Sequence, residues 1–190
     1  MTGNITFEPA SLSDITGVLA LQELYLVTNL SDIEKQAGFV TTRFTVAQLT
    51  DVITNNGLFL AKDNQTVIAY IFAESWTFFN QWPIFEYMCT LFPQLSFEHF
   101  KTITTINSFQ YGPICIHTGY RGKGIIRPLF ELMRENTVAK YPLALTFINK
   151  KNIPSLKAHT KKLNWTIISD FQFNNNDYHV LAYDMKNAVE

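Results

Sequence analysis

At 190 residues the chain fits one domain, long enough to bury roughly two-thirds of the surface its unfolded form exposes. Hydrophobic residues make up 47% and charged residues 16%, which excludes a disordered chain and describes a globular one at the apolar end of the range. The formal net charge of −1 gives no general pull toward nucleic acid or an anionic membrane, and no apolar run reaches the roughly 18 residues that span a bilayer.

The N-terminus, MTGNITFEP, lacks the basic and apolar blocks of a signal peptide. Cys89 and Cys115 are the only cysteines, without C-x-x-C or Cys/His ligand spacing, so a cytoplasmic, reducing compartment and no bound metal are expected. Ile5 to Phe7 reads as a first strand. Ser11-Leu12-Ser13-Asp14 is a helix start signal for a helix through Leu19, Leu24 and Leu26, and Thr45 to Gln48 is a second, closed by Asn55-Asn56-Gly57. Leu58 to Lys62 and Thr66 to Ala73 form two strands of a hairpin around Asp63-Asn64-Gln65.

The segment from Trp76 to Phe109 is too long for a turn and holds much of the aromatic content, including Trp76, Trp82, Phe85 and Tyr87. Pro83 and Pro93 bracket a short helix, and Ser96 is placed to cap another. Those rings form either a lid over an apolar acceptor or a cap on the core, or else a homodimer contact.

Tyr111 to Phe130 then reads as a β-branched strand, a glycine-rich turn and an amphipathic helix. Gly119, Gly122 and Gly124 keep side chains away from the backbone, and the helix that starts near Gly124 turns unpaired N–H groups toward the bend. Arg121, Lys123 and Arg127 add positive charge to the favourable end of the helix dipole. Pro128 fits a first helical turn. This is the pattern of a phosphate cradle. A P-loop is excluded because Ile125 and Ile126 follow Gly124, and a dinucleotide fingerprint because Arg127 stands where glycine or alanine belongs.

The helix is expected to run from Gly124 to about Lys140 with Ile125, Leu129, Leu132 and Met133 on one face. Leu143 to Ile148 reads as a buried strand parallel to the one before the turn. Ser155 to Leu163 is a further helix. Trp165 to Phe173 and Tyr178 to Met185 form a last strand pair joined by Asn174 to Asp177.

Arg121, Gly124 and Ile126 resemble the R-x-x-G-x-G/A signature of the GNAT N-acetyltransferase superfamily, with Ile126 where the signature has a small residue. Asn152-Ile153-Pro154-Ser155, His159 and Leu163-Asn164-Trp165 resemble a second segment of that family. There Asn164 replaces a glycine, His159 stands at a tyrosine position, and the spacing between them is one residue long. The element order is similar to that fold over essentially the whole chain. The resemblance implies a single α/β domain over residues 1–190: a central mixed sheet flanked by helices, with a helical aromatic insert between strands 3 and 4.

It further implies an acetyl-CoA-dependent N-acetyltransferase acting on a small-molecule amine by direct transfer. Residues implied for the cofactor are Ile114, Cys115, Ile116, Arg121, Gly122, Lys123, Gly124, Ile125, Ile126, Arg127, Asn152 and Ser155. Attack requires a base, for which Glu74 and Glu86 are the candidates, and the leaving thiolate an acid, for which His159 and Tyr178 are. Cys115 and His117 share a strand face, but no third group orients them as a nucleophile pair. Two other classes stay open: a non-catalytic acyl-CoA sensor, and an interaction protein that uses the aromatic insert.

Overall fold

The computed structural model describes residues 4–189; Met1 to Gly3, which entered the reading of the N-terminus, lie outside. In chain order the strands are β1 (Ile5–Pro9), β2 (Leu58–Asp63), β3 (Thr66–Glu74), β4 (Ser108–Ile116), β5 (Leu143–Asn149), β6 (Thr166–Phe173) and β7 (Asn176–Asp184). The α-helices are α1 (Ile15–Tyr25), α2 (Asp32–Lys35), α3 (Val46–Thr54), α4 (Trp76–Phe79), α5 (Pro83–Leu91), α6 (Ile126–Thr137) and α7 (Ile153–Lys157). The strands form one mixed sheet in the order β1-β2-β3-β4-β5-β7-β6, the mixed α/β architecture expected.

The chain divides into two compact units, each discontinuous in sequence. One comprises residues 4–72 with Gly112–Asn136. Here β1, β2 and β3 pair antiparallel, and the β2–β3 hairpin turns on Asn64 in a left-handed conformation at φ 56°. α3 starts where the sequence placed it: Thr45 accepts from the Gln48 amide while the Gln48 side chain reaches back to the Thr45 amide. Val18 and Leu21 of α1 and Leu49 and Val52 of α3 are buried. The Gln22 side chain satisfies both backbone groups of Phe44, whose ring stacks on Phe72 with centroids 4.4 Å apart. Lys62 is buried and bridges Glu8 at 2.6 Å and Asp14 at 2.5 Å, so its charge is compensated by two carboxylates.

The other unit comprises Ala73–Tyr111 and Thr137–Val189. β4 and β5 run parallel from Ser108↔Leu143 to Gln110↔Leu145, and β5, β7 and β6 continue antiparallel. The last hairpin is tighter than its Asn-rich sequence suggested. Strand pairing extends to Phe173↔Asn176, leaving Asn174 and Asn175 at the tip with φ of 47° and 59°, as a two-residue type I′ turn requires.

Three expectations about elements are corrected. No helix follows Ser96; Phe97 and Phe100 exchange backbone hydrogen bonds instead, closing a tight turn. α6 begins at Ile126, because Gly124 at φ 81° cannot belong to a right-handed helix, and it ends at Thr137, where the Lys140 and Tyr141 amides both reach the Thr137 carbonyl. The segment after α7 is a π-helix, Ala158–Lys162, rather than a continuous α-helix.

The aromatic insert is also divided in its roles. Trp76 and Phe85 belong to the core: Trp76 donates to Ser108 Oγ at 3.1 Å, and that hydroxyl donates in turn to the Thr104 carbonyl at 2.6 Å. Phe85 packs on Phe79 and Phe147. A four-ring lid is therefore overturned for these two. Tyr87 is exposed and lies beside Phe171 and Phe173 of β6.

Candidate functional site

β4 ends in a 3₁₀ turn, Thr118–Tyr120, whose start is fixed by side chains. The His117 ring accepts from the Gly119 amide at 3.1 Å, and the Tyr120 and Arg121 amides are taken by the His117 and Thr118 carbonyls. The Lys123 amide reaches the Tyr120 carbonyl. Beyond it the pairing stops. Among the described residues the amides of Gly122, Gly124, Ile125 and Ile126 have no acceptor within the protein. They stand at the beginning of α6, where the helix dipole is positive.

Gly122 and Gly124 have φ of 77° and 81°, and a Cβ built on either would have no protein atom within 4 Å. Both glycines are thus required by backbone conformation, and the space in front of them is open. An anion with several oxygens can approach such a surface with main-chain donors as partners. Ile125 and Ile126 bury their side chains, so the bulk of Ile126 points away from solvent while its amide stays available.

Side chains around the turn hold it in place. Tyr120 donates to Asp63 at 2.5 Å, which raises the phenol pKa, and Lys123 lies 5.2 Å from the Tyr120 ring centroid. Arg121 donates through Nε to the Ile116 carbonyl at 2.8 Å and through Nη1 to the Ala37 carbonyl. Its guanidinium sits 4.8 Å from the centre of the Tyr25 ring. The sequence offered Arg121 as charge for a phosphate; in the fold it also ties the end of β4 to Ala37. Arg127 is exposed at the start of α6.

Ile114 and Ile116 are half-buried in β4, and between them Cys115 is buried, its thiol pushed up to about 12 by that burial. A thiol in that state is a small hydrophobe, not a nucleophile.

The other implied residues lie in the second unit. Asn152 is buried and caps α7 by accepting from the Ser155 amide at 3.3 Å. Ser155 offers its carbonyl to His159 Nδ1 at 2.7 Å. His159 is buried, edge-on to Tyr111 and Trp165, and burial pushes its pKa down to about 4. The ring is therefore neutral near pH 7 with its proton on Nδ1, and Nε2 is a buried acceptor with no hydrogen-bond partner.

The one-residue excess after His159 and the replaced glycine now have physical accounts. The π-helix takes up the extra residue, and Asn164 adopts φ 57°, the left-handed conformation that glycine usually supplies at a helix end. Asparagine is the side chain that tolerates it best.

Tyr178 is half-buried in β7, stacked on Phe171 at 5.0 Å and edge-on to Phe147; burial raises its pKa. Glu74, at the end of β3, is buried and accepts from the Ser75 amide at 2.7 Å. Glu86 is exposed in the first turn of α5.

Two groups escaped sequence reasoning. Tyr25 touches the turn through Thr118, 93 positions away, and no local pattern announces that. Glu98, His99 and Asp184 bring ligand-type atoms within 4.8 Å of one another, with His99 Nδ1 at 3.9 Å from Asp184. No helix among the described residues is long and apolar enough to cross a membrane.

No protein-family description matches the chain, and no curated protein matches its sequence. Solved structures do match its fold. An acetyltransferase of the GNAT family from Streptococcus agalactiae superposes with a TM-score of 0.64 at 13% identity, covering 95% of each chain. A putative acetyltransferase from Salmonella typhimurium, solved with its cofactor acetyl-CoA, gives 0.62 at 13% identity over 95% of this chain and 94% of the other. Ribosomal-protein-alanine N-acetyltransferase from Brucella melitensis gives 0.60 at 15% identity over 94% and 99%. The fold is that of the GNAT acetyltransferases, as the sequence motifs implied.

Proposed function

We propose that a chain with this fold, carrying this turn, is an acetyl-CoA-dependent acyltransferase that passes the acetyl group directly to an amine in a ternary complex. The observation that carries the reading is the set of four unpaired amides at Gly122, Gly124, Ile125 and Ile126, beside open space and at a helix start. They fit the diphosphate of coenzyme A, with Lys123 and Arg127 contributing charge. Acetyl-CoA supplies the activated thioester.

The amine must be deprotonated before attack. Glu74 suits that task better than Glu86, because a buried carboxylate is held in one place by the Ser75 amide while Glu86 is solvated. The departing thiolate takes its proton from Tyr178, which keeps a phenolic hydrogen at neutral pH. His159 has already given its Nδ1–H to Ser155 and holds no second proton, so its role is to buttress Tyr111 and Trp165. The acceptor side is assigned to Tyr87 with Phe171 and Phe173, an exposed aromatic surface for an amine of small or moderate size. Two free cysteines agree with a cytoplasmic setting.

Calorimetric titration with acetyl-CoA, comparing wild type with Gly124→Val, tests the binding half of this reading. Wild type binds and the variant loses most of its affinity; equal affinity in both overturns it. Release of free thiol across a panel of small amines and peptide N-termini tests the catalytic half. The neutral, proton-committed His159 specifically favours a second reading, a sensor that binds acyl-CoA without turnover. Tight binding with no thiol release on any amine decides for the sensor.

A further inference from the structure

The free amides lie on a stretch with two glycines, and glycine backbone visits both signs of φ with little preference. Nothing in Gly122 or Gly124 orients those amides, so anchors outside the turn must do it. Two are present. The Tyr25 hydroxyl accepts from the Thr118 amide at 2.8 Å and shares a 3.1 Å hydrogen bond with Thr118 Oγ1, fixing the entrance. Arg121 folds back on the end of β4 through the Ile116 carbonyl and lies against the Tyr25 ring.

These same two residues grip one other segment. The Tyr25 carbonyl accepts from the Val40 amide at 2.9 Å, and the Val27 amide bonds the Val40 carbonyl at 2.9 Å, so residues 26–40 leave and return beside Tyr25. Ala37, inside that segment, is held by Arg121.

Resting on the acetyl-CoA reading, we infer that Tyr25 and Arg121 are positioning residues for the diphosphate: they set the turn's amides and tie the order of residues 26–40 to its occupancy. An unanchored turn would have to be ordered by the ligand, at the expense of affinity. Because the Arg121 side chain reaches both turn and segment, and Tyr25 holds the turn by its hydroxyl and the segment by its carbonyl, a ligand that orders one orders the other, and the linkage is reciprocal. Neither residue is among those assigned to the transfer step, so the effect falls on acetyl-CoA binding.

Tyr25→Phe tests this with little disturbance, since it keeps the ring under the guanidinium and removes only the hydroxyl. The dissociation constant for acetyl-CoA, and KM for it, should rise roughly tenfold, a loss of about 1.4 kcal/mol. kcat at saturating acetyl-CoA should hold, and Tm should stay within a few degrees. Arg121→Lys, which keeps charge but loses the fork, should weaken binding in the same way and serves if Tyr25→Phe folds poorly. Hydrogen exchange in residues 26–40 should slow when acetyl-CoA is added to wild type and slow less in Arg121→Lys, which alters the contact to Ala37. Wild type that binds acetyl-CoA with Tyr25→Phe and Arg121→Lys binding equally well overturns the inference alone. Wild type that fails to bind overturns the functional reading and the inference together.

Discussion

Gly124→Ala separates what the turn costs the protein from what it gives a ligand. Gly124 is at φ 81° with no protein atom within 4 Å of a built Cβ, so the substitution meets no internal clash. Its first effect is conformational: an alanine held in the left-handed region costs about 1–2 kcal/mol. For a chain of this size that lowers Tm by roughly 2–8 °C. Its second effect arises only with ligand present, because the methyl group occupies the open space and displaces the anion from at least one amide. A lost charge-assisted hydrogen bond is worth about 1.5–3 kcal/mol, which weakens affinity roughly 10- to 150-fold. Thermal melts without ligand and calorimetric titration with acetyl-CoA read the two effects independently. Gly119→Ala is the comparison: its φ is ordinary, so it lacks the left-handed penalty, while its Cβ would sit 3.2 Å from His117 Nδ1 and the ring must shift slightly; its loss of acetyl-CoA affinity should be the smaller. A Gly124→Ala protein that loses Tm but binds acetyl-CoA like wild type would place the anion elsewhere and refute the argument.

His159 titrates near pH 4 in the fold and near 6.5 when unfolded, so the unfolded chain binds the extra proton between those values. Stability from the neutral ring is intact above pH 6.5 and declines by roughly 3 kcal/mol toward pH 4. Urea midpoints at pH 7 and 4.5 should show that decline in wild type and much less of it in His159→Phe; an unchanged slope assigns it to another group. Lys62→Met leaves Asp14 buried without its cation and should destabilise by about 3–5 kcal/mol. A loss under about 1 kcal/mol in urea unfolding would mean that Asp14 is solvated. Tyr87→Ala should raise KM for the amine without moving the acetyl-CoA dissociation constant, and an unchanged amine KM would remove Tyr87 from the acceptor side.

Local chemistry was readable where one short segment contains the whole cause. Thr45 and Gln48 cap each other three residues apart, Pro83 opens α5, and the strand–glycine–helix order around Gly124 needs no distant partner. Contacts between distant segments were not readable. The charge of Arg121 is visible in the sequence, whereas the Ile116 and Ala37 carbonyls that take two of its donors are not. His159 sits among Lys157, Lys161 and Lys162, residue types of an exposed helix face, yet the widened turn and the Tyr111 and Trp165 rings bury it. Trp76 and Phe85 show the limit of aromatic content as evidence, since a ring in the core and a ring on a lid contribute equally to composition.

The widened turn at Ala158–Lys162 also bears on how this chain tolerates changes in length. A loop absorbs an added amino acid by bulging into solvent, but a helix ordinarily rotates everything downstream by about 100°. Here the surplus is confined to a single coil, and Asn164 ends it so that Trp165 still reaches the His159 carbonyl. Excising one amino acid from that coil should let it relax to regular α-helical spacing with Trp165 kept in place. The same excision within α6 would turn Leu129 and Met133 out of the core.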